Sequence, residues 1–276
     1  MDALLGFAIY VLITLFLMSF VFPLPFSDTG TVRYNTLPTM TFMLIIVNSL
    51  VFMAWQAPEL YQDPQTLRGL QVYLDKIWTY GYRDVFMREG QSIGAFTTFS
   101  SMFMHTDFEH LFGNMIYLWT FGRRVEDACG SWRYLLYYLA AGMIANIGSE
   151  VLNPANVDIP SIGASGAIAG IMGAYLILFP GARINCLWIV GSILRIPIAL
   201  VRGKTPWTWT LPIPAAFLLI YFAVSEALPS FETIQRGDAL GGVNHLAHLM
   251  GFLAAILILL YVRKDLLVRF AAGRSL

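Results

Sequence analysis

The sequence predicts an all-α polytopic membrane protein. Hydrophobic residues make up 57% of the 276 positions and charged residues only 12%, against roughly 25% charged in ordinary soluble domains. Mean hydropathy is +0.65. Apolar runs recur along the chain at about the 20 residues a helix needs to cross a bilayer. Lysine plus arginine and aspartate plus glutamate are both 17, so no basic surface points to nucleic acid. The two cysteines, Cys129 and Cys186, are too few and too far apart for a disulfide framework or a metal knuckle. The N-terminal MDALLG lacks the basic n-region of a cleaved signal peptide or an arginine-rich transit peptide.

Seven segments read as spans: 3–22, 38–56, 108–123, 132–152, 165–180, 211–228 and 244–262. The apolar stretch 184–201 is interrupted by Arg195 and Pro197 and reads as interfacial or re-entrant. Residues 57–107 mix aromatic residues with charges, Trp78, Tyr80, Tyr82 and Phe86 beside Arg83, Asp84, Arg88 and Glu89. Such a loop suits the membrane interface, where aromatic rings anchor. Twelve lysines and arginines fall on one side of these spans and five on the other. The richer side is expected to be cytoplasmic, which puts the C-terminus inside, the N-terminus outside and both cysteines in a reducing compartment.

That topology sets depth. Segments 108–123, 165–180 and 244–262 all run inward from the outer face, so their first turns share one leaflet. Those turns carry His110 and Asn114, then Ser165, then Asn244, His245 and His248. Polar groups in membrane helices usually face a bundle interior or a wet cavity and mark function. His110 and Asn114 are i, i+4 and share a helix face. They read either as a helix–helix contact or as two donors aimed at one oxyanion. His245 and Asn244 read as structural residues.

Ser165 sits in Gly163-Ala164-Ser165-Gly166. With Gly170 and Gly173 these glycines form a small-residue stripe that allows close helix approach. Ala247, Gly251 and Ala255 form a matching stripe on the last span. If the stripes face each other, Ser165 and His248 come within hydrogen-bond reach. A serine needs such a base to act as a nucleophile, and histidine titrates in the right range. No carboxylate stands out as a third member, Glu226 lying at the far end of another segment, so a dyad is expected. A competing reading gathers His105, His110, His245 and His248 at a metal, although His105 and His110 span a loop–helix junction in poor ligand geometry.

Three blocks, MHTDFEHLFGNMIYLWTFGRRVED (104–127), GASGAIAGIMGAYLILFPGARI (163–184) and AHLMGFLAA (247–255), resemble the motif blocks of the rhomboid intramembrane serine proteases. The resemblance covers about 38–262. It implies a six-helix rhomboid-like catalytic domain over 38–262, with an additional N-terminal transmembrane helix and linker over 1–37 and a basic cytoplasmic tail over 263–276. It implies Ser165 as nucleophile and His248 as base, with His110, Asn114 and the Ser165 backbone N–H binding the oxyanion. It further implies transmembrane protein substrates cut near the outer face without metal or cofactor. Segment 211–228 would be a lateral gate bearing Phe217, Tyr221 and Phe222. A non-proteolytic binder of transmembrane clients is the alternative. The expected location is a prokaryotic plasma membrane. The chain departs from the pattern at Ala169, where many members carry an aromatic ring beneath the histidine. GAFTTFSSMFMH also lacks a Trp-Arg pair, and the last motif ends in Ala255 instead of a second glycine.

Overall fold

The computed structural model describes residues 23–28, 37–58, 67–90, 93–152, 159–201, 210–236 and 243–262, with isolated positions between 6 and 19. Of the expected first span, 3–22, only those isolated positions are described, and the basic tail, 263–276, lies outside the described residues. The chain is mostly helical and divides into two compact units, one of residues 34–180 with 219–276 and a smaller one of 1–33 with 181–218.

In the larger unit, α1 (Thr39–Leu50) continues through a wide π-type turn at Val51–Gln56. The expected polar loop is itself largely helical, with α2 (Leu67–Tyr80), α3 (Asp84–Glu89) and the short α4 (Thr97–Ser100). α5 (Phe108–Tyr117) passes through a second π-type turn at Leu118–Gly122 into α6 (Arg123–Cys129). α7 (Ser131–Leu152), α8 (Ser165–Leu178), α10 (Ala215–Arg236, in this unit from Leu219 onward) and α11 (His245–Val262) complete it. Among the described residues, three helices are long and apolar enough to cross a membrane: Thr39–Gln56, Ser131–Leu152 and Ala215–Gln235. α8 and α11 are shorter apolar helices. α10 starts later than the sequence predicts and runs further, through an internal Pro229.

The smaller unit departs from an all-helical expectation. β1 (Leu24–Asp28), β2 (Arg183–Leu187) and β3 (Thr210–Pro214) form a three-stranded antiparallel sheet in the order β1-β2-β3. β2 pairs Ile184 with Ile213 and Cys186 with Leu211. Alternation explains the strand: Ile184 and Cys186 are fully buried while Arg183 is exposed, the two-residue period of a strand with one covered face. Asn185 Nδ2 donates to Ser27 Oγ across β1–β2 at 3.1 Å. The stretch expected to be re-entrant thus divides into β2 and α9 (Ile189–Val201), a helix that carries Pro197 inside it.

One carboxylate ties the start of α1 to α6. Pro38 precedes α1 and offers no side-chain cap, so the first N–H groups need another acceptor. Glu126 of α6 supplies it. Its Oε1 accepts from Met40 N at 2.9 Å and Ser131 Oγ at 2.6 Å, and its Oε2 from Thr41 N at 2.8 Å and Thr41 Oγ1 at 2.7 Å. Glu126 and Thr41 are fully buried. A buried carboxylate is tolerated where donors surround it and where a helix N-terminus adds a positive dipole end. Glu126→Ala is expected to cost about 3 kcal/mol, because it strands buried donors. Thr41→Val, which removes one donor and strands little, is expected to cost less. Unfolding midpoints in detergent compare the two.

Candidate active site

The centre of the larger unit is set by glycines. α8 is buried along most of its length. A side-chain carbon on Gly166 would collide with Ala145 Cβ of α7. One on Gly170 would meet Ala141 Cβ, the Gly251 carbonyl and Ala255 Cβ, and one on Gly173 the Phe252 carbonyl. On α11, a methyl on Gly251 would overlap the Gly166 backbone. The two small-residue stripes therefore do face each other, as the sequence predicts. α7 adds a third set, Ala141, Gly142 and Ala145, whose part the sequence reading missed.

This approach places Ser165, first residue of α8, beside His248, in the first turn of α11. Ser165 Oγ and His248 Nε2 are 2.7 Å apart. On the other ring nitrogen, His248 Nδ1 lies 3.2 Å from Glu226 Oε2 of α10, and the same oxygen is 2.8 Å from His245 Nδ1. Glu226 is buried, only 9% exposed. A carboxylate thus stands behind the pair, where none was expected. The signal was available: α10 runs opposite to α8 and α11, so its C-terminal half shares the depth of their first turns. The Phe222 ring tilts beside His248 at 6.4 Å between centroids and packs on Phe252 at 5.9 Å. Phe222 and Glu226, one helical turn apart, both flank the imidazole, and Ala169 is buried. Of the three residues expected at a gate, Phe217 and Tyr221 are exposed, whereas Phe222 turns to the histidine.

The remaining polar groups at the start of α11 also have partners. Asn244 Oδ1 accepts from Ala247 N at 2.9 Å, an N-cap for α11. His245 pairs with Glu226 instead of His248's serine.

His110 and Asn114 enter from α5. Asp107 caps that helix, its Oδ1 accepting from His110 N at 2.7 Å, and Thr106 Oγ1 donates to Asp107 Oδ2 at 2.8 Å. Thr106 Oγ1 also lies 3.1 Å from His110 Nδ1, which turns Nε2 toward Gly163. Gly163 has a φ of +133°, a conformation glycine adopts freely and side-chain-bearing residues rarely do. The point where its Cβ would stand is 3.0 Å from His110 Nε2 and 3.4 Å from Ser165 Oγ. The missing side chain leaves a gap with the serine hydroxyl on one side and the imidazole on the other. Asn114 is buried, and its Nδ2 has no hydrogen-bond partner among the described residues. Buried amide donors are ordinarily satisfied, which sets this one apart.

The chain before α5 is pinned by a reciprocal pair: His105 N donates to Gln56 Oε1 at 3.0 Å, and Gln56 Nε2 to the His105 carbonyl at 2.6 Å. The His105 ring is fully buried, edge-on to Phe52 and 5.1 Å from His110. The four histidines form two separate pairs, His105 with His110 and His245 with His248. Among the described residues, the grouping with metal-ligand spacing is Glu226, His245 and His248.

Fold and site together define a class: a polytopic membrane protein carrying a serine–histidine pair inside its helix bundle. A rhomboid domain model matches residues 93–265, more than half of the chain, and the protein belongs to the rhomboid family. Among similar proteins, the chain is 30% identical over 175 residues to "Rhomboid protease GluP" of Bacillus subtilis, covering 63% of this chain and 31% of that protein. It is 27% identical over 148 residues to "Rhomboid protein 1, mitochondrial" of Saccharomyces cerevisiae, 52% of this chain and 38% of that one. It is 27% identical over 172 residues to "Rhomboid-like protein 11, chloroplastic" of Arabidopsis thaliana, 60% of this chain and 51% of that one. The matched region thus spans about a third to a half of each relative's length.

Burial lowers the His105 pKa to about 3, the neighbouring His110 adding to the shift. An imidazole kept neutral in the fold contributes its full stability above the unfolded value of roughly 6.5 and loses it as pH falls toward 3. His105→Leu should therefore flatten the decline of the unfolding midpoint between about pH 6.5 and 4. Gly251→Val should destabilise the bundle by about 1–3 kcal/mol through overpacking. A midpoint equal to that of the unsubstituted protein would contradict the backbone contact described.

Proposed function

We propose that the protein is an intramembrane serine endopeptidase that cuts transmembrane protein substrates near the outer membrane face. The single observation that carries this reading is the 2.7 Å approach of Ser165 Oγ to His248 Nε2. Glu226 accepts a hydrogen bond from His248 Nδ1–H, which fixes the tautomer that leaves the Nε2 lone pair facing the serine. Ser165 then attacks a peptide carbonyl as His248 removes its proton. On this reading the oxyanion forms in the gap over Gly163, beside His110 Nε2, with Asn114 Nδ2 and the backbone N–H of Ser165, at the start of α8, as the further donors. His248 returns the proton to the leaving amine. Water, deprotonated by the same nitrogen, hydrolyses the acyl-serine. Ser165 and His248 are the catalytic residues, His110 and Asn114 the oxyanion donors, and Glu226 a positioning residue.

The proposed architecture is the six-helix family core over 38–262, with an extra N-terminal helix and a basic tail. Segment 211–228 serves as the lateral gate, with Phe217 and Tyr221 on its exposed face. The proposed location is a prokaryotic plasma membrane. The chemistry described uses side chains, a backbone N–H and water.

Purified protein with a transmembrane substrate in detergent tests the roles. Ser165→Ala is expected to abolish cleavage and labelling by a fluorophosphonate probe; continued cleavage by that variant would sink the proposal. Asn114→Ala is expected to lower kcat by about 10²–10³-fold, the usual worth of one oxyanion donor. Glu226→Ala is expected to reduce kcat far more than it changes KM, because it disturbs the tautomer of the base and not the binding of substrate.

A further inference from the structure

Glu226 has two imidazoles and one oxygen between them, and the proposed reaction uses only one of the imidazoles. His245 Nδ1 and His248 Nδ1 both approach Glu226 Oε2, at 2.8 and 3.2 Å. All three ligand atoms lie within 4.8 Å of one another. The two histidines are i, i+3 at the start of α11 and the carboxylate comes from α10. Two ligands on one helix and a third from its neighbour hold a fixed triangle. The carboxylate is 11% exposed and the His248 side chain 15%, while His245 is 32% exposed and opens the group to solvent.

From this geometry we infer that Glu226, His245 and His248 form a binding site for a divalent transition ion of the Zn²⁺ type, and that the ion switches the serine off. Two imidazole nitrogens and a carboxylate oxygen are a common ligand set for Zn²⁺, with bonds of about 2.0–2.2 Å. Ligand atoms around such an ion stand about 3.3 Å apart, so the present triangle needs side-chain movements on the order of 1 Å. Water completes the fourth position. Oxygen-only ions such as Mg²⁺ are disfavoured by the two nitrogens.

Inhibition follows from the two nitrogens of His248. A neutral imidazole carries one proton. When Nδ1 gives its lone pair to the ion, that proton resides on Nε2. Nε2 then donates to Ser165 Oγ and has no lone pair with which to take the hydroxyl proton. One N–H bond is exchanged for another: the Nδ1 proton leaves to solvent through Glu226 as Nε2 takes one up, so the ring stays neutral and the base is lost for as long as the ion stays. Its release restores the tautomer that Glu226 otherwise maintains.

The inhibitory half rests on the proposed reaction; the binding half does not. The full chain, purified without a polyhistidine tag and stripped with EDTA, carries both tests. Co²⁺ titrated into the Ser165→Ala protein should give the visible ligand-field bands of a low-coordinate nitrogen–oxygen site. In that background His245→Gln and Glu226→Gln should each weaken Co²⁺ binding by at least the roughly 10–100-fold that loss of an outer ligand partner costs. Bands that are missing, or unmoved by both substitutions, overturn the site whether or not the protein proves to be a protease. In the unsubstituted protein, Zn²⁺ should block fluorophosphonate labelling and EDTA should restore it. His245→Gln should shift the inhibiting Zn²⁺ concentration upward about tenfold, the loss of roughly 1.4 kcal/mol of binding. Labelling that persists with Co²⁺ or Zn²⁺ bound would overturn the switch.

Discussion

Gly166 and Gly251 meet with nothing but backbone between them, and the approach of Ser165 to His248 follows from that contact. In a bilayer no hydrophobic force pulls helices together, because lipid tails are as apolar as leucine; close packing and polar contacts must do it. The glycines of α8 remove the side chains that would hold α11 and α7 away. The separation this allows is the one at which a serine at the head of one helix touches an imidazole in the first turn of the other. The helices also fix the depth of both groups, so neither is free to slide out of register without breaking packing along the whole interface.

The polar groups around this contact are arranged by different means. Asp107 and Asn244 are helix caps, and each fixes the start of a helix that delivers a functional residue within the next turn. Glu226 is held by two imidazoles. Glu126 spends its charge on the end of α1, where Pro38 leaves the helix without a cap of its own. These four side chains do little chemistry, yet each satisfies donors that the fold could not leave bare. Beside them the Phe222 ring lies against His248 and packs in turn on Phe252.

Much of this was legible in the chain because it rests on local spacing. The small-residue stripes, the i, i+4 relation of His110 and Asn114, and the alternation of span directions are all properties of one helix or of a count. They singled out Ser165 and His248, which the structure brings within 2.7 Å, and put forward His110 and Asn114 as candidates. Glu226 escaped because its meaning depends on a helix running the other way, and because its distance along the chain from Ser165 hid their common depth. β2 escaped because a short apolar run of strand reads the same as a piece of helix; its partners, β1 and β3, lie far away in sequence. The helices α2 and α3 were obscured by the mixture of charge and aromatic residues that marks an interface whatever its secondary structure. The small residues of α7 were hidden among tyrosines and leucines, and only the neighbouring glycines reveal why they are small.

α8 has 14 residues, and a helix of that length is about 21 Å long. The hydrocarbon layer is about 30 Å thick. A helix whose inner end reaches the far boundary therefore begins well below the near one, and the chain above it, 159–164, is not helical. On the proposed reading that shortfall is the vestibule by which water arrives. It also makes α8 a depth gauge: the height at which a substrate is severed is dictated by how many residues this helix contains, and less by which residues the substrate presents.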